Sequence, residues 1–409
     1  MKVLFATPVP PLLTKPRPYH FIRGLAHRGH TVHLLTQLPS ERAAGELSEA
    51  PGWAEIVESC ASVSWVVVPR LRSYAQCAVS LPTRTPLRVA YCRSPEFALR
   101  ARELVQQHNC DVLHVDRKRI ASDLSGLPLP KILDATDSIT LYMKRVLKHG
   151  SLPQRLVSIV ELLKVPSFEA EVCKGFSTCL ATTDEDAQAL RSAEVGTKLE
   201  VLPNGVDERF FRCARKEEPD SLLFVGTMYY SPNVDAATWF SKRVFPRIKA
   251  VKPRTRLLLV GSGPTRAVRR LARISGVEVT GAVHDIRHYL ERTAVFVAPI
   301  RIGGGFPNKV AEALAAGVPT VATPAAHAGI PGLVPGTHLL EATSPEEFAS
   351  STLHLLEDAN LRNRLRASGR DFVRTGYSWD EVVERLERIY ISGVASWSGR
   401  NPKNRGLSS

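Results

Sequence analysis

Residues 301–323 read RIGGGFPNKVAEALAAGVPTVAT and follow shortly after the apolar run VFVA. The three consecutive glycines free the backbone, because a residue without a Cβ adopts conformations that other residues avoid. Asn308 is a favourable helix N-cap, and Gly317, followed closely by a proline, is a favourable helix end. The stretch therefore predicts a strand, a glycine loop, a helix over about 309–316 and a second strand, the repeating unit of a parallel α/β sheet.

The same stretch predicts an anion-binding site. A helix that opens on a glycine loop offers free N–H groups and the positive end of its dipole, which suits a diphosphate. Arg301 and Lys309 add a cation on either side. Glu312, one turn into the helix, places a carboxylate where it can accept hydrogen bonds from the paired hydroxyls of a ribose. The alternative interpretation is a sharp turn followed by a solvated glutamate.

The rest of the chain shows the same alternation of strands and helices twice, with a turn-rich break at 201–207. A length of 409 residues suits two domains better than one core. We therefore predict two Rossmann-like, doubly wound α/β domains. The predicted segments are a first domain at 1–205, a second domain at 206–375, a helix at 376–392 that crosses back to the first domain, and a disordered tail at 393–409.

Composition narrows the function further. The seven cysteines form no Cys-x-x-Cys pair or Cys/His cluster, which indicates reduced thiols in a cytoplasm and no structural zinc. The N-terminal apolar run is short for a signal peptide, and no stretch approaches the about 18 apolar residues of a membrane span. The net charge of +14 suits an anionic partner. Because no nucleic-acid motif is present, we expect phosphorylated substrates or an anionic membrane surface, and no nucleic acid.

The stretch at 301–323 resembles the donor site of retaining, metal-independent glycosyltransferases of GT-B family four, the glycosyl transferases group 1. The segments at 224–236, 259–264, 280–286 and 377–380 resemble, in order, the first two donor-domain strands and their loops, the nucleobase pocket and the start of the closing helix. The nearest branch is similar to bacterial sugar transferases of exopolysaccharide and PEP-CTERM systems. The resemblance implies that the two domains face each other across a cleft, with the acceptor in the first and the donor in the second.

The resemblance also implies roles for individual residues. Arg301 and Lys309 would stabilise the leaving diphosphate. The implied donor-binding set is Gly226, Val283, Gly303, Gly304, Gly305, Phe306, Asn308 and Glu312. Many family members have Glu-x7-Glu here, but the first position is Gly304. Thr227 and Met228 stand where an arginine and a lysine are frequent, so the resemblance does not fix the sugar.

The first half matches the family less closely. Asp116 occupies the position of a histidine that lies near the reaction centre in many members, and Asp137 is expected near the cleft. Both are candidate catalytic residues, and the alternative for each is a capping or turn aspartate. His114 is predicted to be a packed core histidine. Lys15 and Arg17, in a proline-rich loop, either meet phosphate or are solvated.

Basic clusters stand at 117–119 and 144–148. Each is either a solvated face or part of a contact with an anionic surface. The amphipathic stretch at 141–163 would suit an anionic membrane, although an ordinary helix packed on its domain is the favoured interpretation. The Gly-x-Gly at 261–263 is predicted to be a turn, and no NAD site is expected.

The implied function is transfer of a sugar, with retention, from a nucleotide-diphosphate sugar to a glycan, a lipid-linked acceptor or a small molecule, in polysaccharide biosynthesis. We expect no metal, because no Asp-x-Asp motif stands at a strand end, and no cofactor beyond the donor itself. The expected location is the cytoplasm, with peripheral attachment to the inner membrane face as an option. Two alternatives remain open: a nucleotide-sugar epimerase of the same fold, and an inactive sugar-nucleotide-binding subunit. The missing first glutamate and cleft histidine favour the inactive subunit.

Overall fold

The structure, a computed structural model, describes residues 1–149, 152–191, 197–302 and 304–400. The chain divides into two compact units. The first unit is Met1–Pro203 with Val382–Ser409, and the second unit is Asn204–Glu381. Each unit has its own apolar core around a parallel sheet.

The sheet of the first unit has, among the described residues, seven parallel strands in the order β3-β2-β1-β4-β5-β6-β7. The central strands are buried on both faces, as their continuous apolar runs require. The strands are β1 Lys2–Thr7, β2 Thr31–Leu38, β3 Ser62–Val67, β4 Val112–Asp116, β5 Lys131–Thr136, β6 Thr178–Ala181 and β7 Lys198–Val201.

Helices cover both faces of this sheet. Helix α1 buries Phe21, Ile22 and Leu25 at helical spacing, and helix α6 is capped by Ser94, which accepts from the backbone N–H of Phe97. The helices are α1 Pro16–His27, α2 Arg42–Leu47, α3 Trp53–Ser59, α4 Arg70–Ser80, α5 Leu87–Cys92, α6 Pro95–His108, α7 Ala121–Leu124, α8 Ile139–His149, α9 Leu152–Leu162, α10 Val165–Lys174 and α11 Asp184–Arg191. A 3₁₀ turn at Lys118–Ile120 follows β4.

The sheet of the second unit has six parallel strands in the part of the chain that is described, in the order β10-β9-β8-β11-β12-β13. They are β8 Ser221–Val225, β9 Arg256–Val260, β10 Val277–Gly281, β11 Val295–Ala298, β12 Thr320–Ala322 and β13 Leu340–Glu341. The helices are α12 Glu208–Phe211, α13 Ser231–Trp239, α14 Phe245–Val251, α15 Arg266–Arg269, α16 Arg287–Arg292, α17 Asn308–Ala315, α18 Pro324–His327, α19 Pro345–Glu357 and α20 Ala359–Gly376. A π turn at Phe240–Val244 joins α13 to α14, and a 3₁₀ turn at Arg270–Arg273 follows α15.

The prediction of two parallel α/β sheets is confirmed. The predicted end of the last helix at 392 is wrong, because α21 runs over Trp379–Arg400 and so takes in the first part of the expected disordered tail. The remainder of that tail, 401–409, lies outside the described residues. None of the described helices is both long and apolar enough to cross a bilayer.

Both sheets contain one point at which the strand order reverses. In the first unit it lies between β1 and β4, and in the second between β8 and β11. Loops that follow two such strands leave the sheet toward opposite faces, so a crevice opens at the carboxyl ends of the strands. This rule places a candidate site in each unit before any side chain is considered.

Candidate functional site

The crevice of the second unit is lined by the amino end of α17, which follows β11. Four backbone N–H groups near this end have no hydrogen-bond acceptor among the described residues: those of Gly304, Gly305, Phe306 and Lys309. Gly305 has a φ of 72°, a conformation that favours glycine. Unpaired N–H groups at a helix amino end attract anions. Gly303, the other predicted glycine of this loop, lies outside the described residues.

Asn308 does not cap this helix, contrary to the prediction. It is the first helical residue, Pro307 occupies the cap position, and no side chain caps the helix. The Asn308 side-chain oxygen instead accepts from the amide of Asn204, 3.1 Å away. A proline offers no capping side-chain oxygen, so the N–H of Lys309 in the first turn of α17 stays available.

Lys309 is a half-buried cation on the first turn of α17. Its Nζ donates to Oδ1 of Asn233 at 2.6 Å and lies 5.0 Å from the ring centroid of Phe224. Burial lowers the pKa of Lys309 to about 8, and the nearby Glu312 opposes that shift. The ammonium group is therefore poorly solvated, with a neutral amide as its hydrogen-bond acceptor.

Asn233, which the sequence analysis missed, fixes the position of this lysine. Its amide nitrogen donates to the carbonyl of Thr227 at 3.0 Å, and its side-chain oxygen accepts from Lys309. A Cβ on Gly226 would lie 2.7 Å from that amide nitrogen, so only glycine leaves room for it. The N–H of Gly226 donates to the carbonyl of Val260 and is not free for a ligand, and a contact of Gly226 with the donor stays a prediction. The sequence signal that could have identified Asn233 is a polar residue in the first helical turn after β8, where the strand order reverses.

Glu312 lies one turn beyond Lys309 on α17 and is half-buried. Neither carboxylate oxygen accepts a hydrogen bond from another described residue. Burial raises the pKa of Glu312 to about 7; Lys309 acts to lower it and Asp207 to raise it. A half-buried acceptor without a donor in the protein is a natural partner for the hydroxyl groups of a ligand.

Arg301 is placed differently from the prediction. Its guanidinium forms a two-bond ion pair with Asp235, at 2.6 and 3.0 Å, and lies 5.4 Å from the ring centroid of Trp239. Asp235 therefore neutralises the cation that was expected to face a phosphate. Asp235 stands 66 residues before Arg301, which is why no local pattern showed the pair.

Two further predicted donor residues are apolar. The ring of Phe306 is buried in the core of the second unit, 5.5 Å from that of Tyr377, so its side chain serves packing. Val283 follows β10 and packs, half-buried, against the same core. A contact of Val283 with a nucleobase stays a prediction.

Asp116 ends β4 at the reversal point of the first unit. It is buried, and its Oδ2 accepts from the hydroxyl of Thr7 at 2.9 Å and lies 3.7 Å from Nε of Arg117. Burial is the main cause that raises the pKa of Asp116. Asp137 follows the neighbouring β5, is exposed, and accepts from the hydroxyl of Thr182 at 2.9 Å. Both carboxylates thus lie at the carboxyl edge of the sheet, and a catalytic role for each stays a prediction.

Three other polar residues of this unit have structural partners. His114 is fully buried, bonded to the Tyr390 hydroxyl at 2.7 Å, which confirms a packed core histidine. Arg17 is buried in a two-bond pair with Asp134, so it is neither solvated nor free to bind phosphate. Lys118, expected in a basic surface cluster, is also buried and bonded to Glu169 at 2.6 Å.

The amphipathic stretch at 141–163 does not form an ordinary packed helix throughout. Helix α9 and the residue after it expose Leu152, Leu156 and Leu163 by 71%, 58% and 81%. Among the described residues, no group of three or more His, Cys, Asp or Glu side chains is arranged to hold a metal ion.

Comparison with known proteins finds a family match for part of the chain. Residues 219–358 match the family described as glycosyl transferases group 1. The phosphatidylinositol N-acetylglucosaminyltransferase gpi3 subunit of Schizosaccharomyces pombe is 26% identical over 226 residues, which cover 52% of this chain and 48% of the yeast protein. A GDP-mannose-dependent monoacylated alpha-(1-6)-phosphatidylinositol monomannoside mannosyltransferase of Corynebacterium glutamicum is 30% identical over 218 residues, covering 47% and 56%. The chain spans about half the length of these relatives.

Solved structures agree on the fold. A glycosyltransferase from Rickettsia africae superposes with a TM-score of 0.67 at 13% identity, covering 96% of this chain and 98% of the other. The Anabaena protein HepE in complex with UDP gives a TM-score of 0.63 at 15% identity, covering 96% and 100%. At such identities the likeness shows the fold alone. Residues 219–358 thus form a glycosyl transferases group 1 domain, and the chain that contains them has the GT-B glycosyltransferase fold.

Proposed function

We propose that the protein transfers a sugar from a nucleotide-diphosphate sugar to an acceptor, with retention at the anomeric carbon and without a metal ion. The second unit binds the donor and the first unit binds the acceptor. One observation carries the proposal: the uncapped amino end of α17 combines unpaired N–H groups, Lys309 and the unpartnered carboxylate of Glu312. The HepE structures, which contain UDP or UDP-glucose, support this class of donor.

The parts of that site match the parts of the donor. The N–H groups and the Lys309 ammonium bind the diphosphate, whose negative charge is shared by its non-bridging oxygens. Glu312 accepts from the ribose hydroxyls and must be ionised to accept from both. Without ligand, the pKa of Glu312 is raised to about 7. Hydrogen bonds from a bound ribose favour the ionised carboxylate and therefore lower this pKa.

The same groups serve the reaction. Negative charge grows on the leaving diphosphate as the glycosidic bond breaks, and preorganised donors in a poorly solvated site stabilise it. Lys309 is preorganised because Asn233 fixes it. Arg301, neutralised by Asp235, holds the loop before α17 in place and does not carry this charge itself.

We further propose that the first unit attaches to an anionic lipid surface. Lys164 donates to the carbonyls of Ser80 and Leu81 at 2.9 Å each, so the ends of α4 and α9 meet. We propose that the exposed side chains on these helices and just after them, Val79, Leu81, Leu156, Val160 and Leu163, make up one apolar patch. Exposed bases stand near it at Arg84, Lys144 and Lys148. Apolar side chains beside bases suit a bilayer with anionic headgroups.

Donor hydrolysis and binding test the transferase proposal. Isothermal titration of the full chain with a panel of UDP-, GDP- and ADP-sugars should reveal one donor in the micromolar range, with slow hydrolysis without acceptor. Glu312→Gln should weaken that donor, whereas Glu278→Gln, an exposed control on β10, should not. Binding without any hydrolysis or transfer would favour the inactive subunit, which Gly304 in place of a glutamate also favours. No binding of any donor would refute both.

A further inference from the structure

Cationic side chains stand at the carboxyl edge of the first sheet, where the strand order reverses between β1 and β4. Arg117 and Arg119 follow β4, and Lys15 directly precedes α1, which follows β1. No side chain caps α1, and its first turn contains no acidic residue. Lys15 and Arg119 form no ion pair with a described residue. Three cations therefore stand on the segments that follow β1 and β4, the strands between which the topology opens a crevice.

Arg117 is held in an unfavourable state. Its φ of 73° and ψ of 141° belong to a region that glycine prefers. Its Nε is buried and, among the described residues, donates to no acceptor; the Asp116 carboxylate is 3.7 Å away. Thr136, at the end of the adjacent β5, also has a positive φ of 57°. Strained backbone and an unpaired buried donor are features that proteins retain mainly where a ligand is bound.

The three cations also repel one another. The pKa of Lys15 is lowered first by burial and then by Arg117 and Arg119. The pKa of Arg119 is lowered first by burial, with Arg88 and Arg117 adding to it. The Asp116 carboxylate opposes both shifts, and it also accepts from Thr7. One carboxylate against three cations leaves about two positive charges without compensation.

We propose that Lys15, Arg117 and Arg119 bind the phosphate ester of the acceptor. The inference rests on the proposed function in so far as the first unit binds the acceptor. A phosphate monoester has about two negative charges and three terminal oxygens, which match the uncompensated charge and the number of cations. Arginine presents a planar set of donors suited to phosphate, and two of the three cations are arginines. The phosphate belongs either to a lipid or to a soluble sugar, and the experiment separates the two.

The test is isothermal titration of the full chain with inorganic phosphate, with glucose 1-phosphate and with short-chain dihexanoyl phosphatidic acid. All titrations use the Lys309→Ala background, so that phosphate bound in the second unit does not contribute. Arg119→Gln and Arg117→Gly should each raise the Kd for the phosphate ester at least tenfold. Arg117→Gly removes the guanidinium but suits the positive φ, so folding is preserved. Arg102→Gln, on the exposed face of α6, is the matched control and should leave the Kd unchanged.

A second variant separates charge from folding. Arg119→Lys keeps the charge and should bind the phosphate ester more tightly than Arg119→Gln but less tightly than the parent. Melting temperatures of all variants verify the fold. Tighter binding of phosphatidic acid indicates a lipid-linked acceptor, and tighter binding of glucose 1-phosphate a soluble one; either supports the site. An equal Kd for phosphate in the parent and in Arg119→Gln would overturn it. Donor binding by the same variants, without the Lys309 change, should be unaffected, so that failure here does not disturb the assignment of the donor site.

Discussion

Replacing Glu312 with glutamine should stabilise the second unit at high pH. Burial raises the pKa of this carboxyl from 4.5 to about 7 in the folded protein. The folded state thus binds the proton more tightly than the unfolded state does. The resulting stability is fully present below pH 4.5 and is lost as the pH rises through 7. Above pH 7 the buried charge of Glu312 lowers the free energy of unfolding by a constant amount. The uncharged glutamine does not have this effect.

The size of the effect follows from the shift. A rise from 4.5 to about 7 corresponds to about 3 kcal/mol between the two protonation states. Because Glu312 is only half-buried, water screens part of this difference, and the gain at pH 8 is about 2 kcal/mol. At pH 5 the gain should fall below about 1 kcal/mol, because the native carboxyl is protonated there. A gain of about 2 kcal/mol corresponds to a melting temperature higher by roughly 4–8 °C for a unit of this size.

The assay is differential scanning calorimetry at pH 5, 6, 7 and 8, with Glu278→Gln as an exposed control on β10. The difference between Glu312→Gln and the native chain should grow with pH, and the control should show none. The same variant should bind donor more weakly at pH 8, since glutamine accepts with one oxygen. A difference that does not change with pH, or a variant less stable than the native chain at pH 8, would refute the reasoning.

Three further outcomes are expected. Asn233→Ala removes the acceptor that fixes Lys309 and should raise the donor Kd about tenfold or more by titration; an unchanged Kd would mean that Asn233 is only a packing residue. Transfer rates should be the same with and without EDTA, and activity that is lost on chelation and restored by magnesium or manganese would contradict a metal-independent reaction. Leu163→Asp in the apolar patch should reduce co-sedimentation with anionic vesicles at low salt, while binding by the native chain should weaken as salt rises; equal sedimentation of the two proteins would contradict the proposed attachment.

The parallel sheets could be predicted because they depend on local pattern. Strand-forming runs such as Leu222–Phe224 are apolar without interruption, and glycine or proline marks their ends. Helix α4 was not predicted, because it exposes Leu71 and Val79 and so lacks a clean apolar stripe. The short β13 was also missed, since two residues give no pattern.

The site was predicted less completely, because its chemistry depends on contacts between distant segments. The sequence placed Lys309 and Glu312 correctly on one helix, but their environment comes from Asn233, 76 residues away. Arg301 is neutralised by Asp235, and the expected capping side chain of Asn308 bonds to Asn204, 104 residues before it. A residue type shows what a side chain can do, whereas only the folded chain shows which partner has already used that capacity.

The uncapped end of α17 has a consequence for engineering. A residue with a capping oxygen at position 307 would satisfy the free N–H of Lys309 and would ordinarily raise the stability of a helix by about 1 kcal/mol. Here the same oxygen would occupy a donor that a diphosphate needs. A screen that measured only melting temperature would therefore select this substitution. The selected variant would have a lower turnover. At position 307 a gain in thermal stability would thus cost catalytic activity. Mutant libraries of this protein should leave Pro307 unchanged.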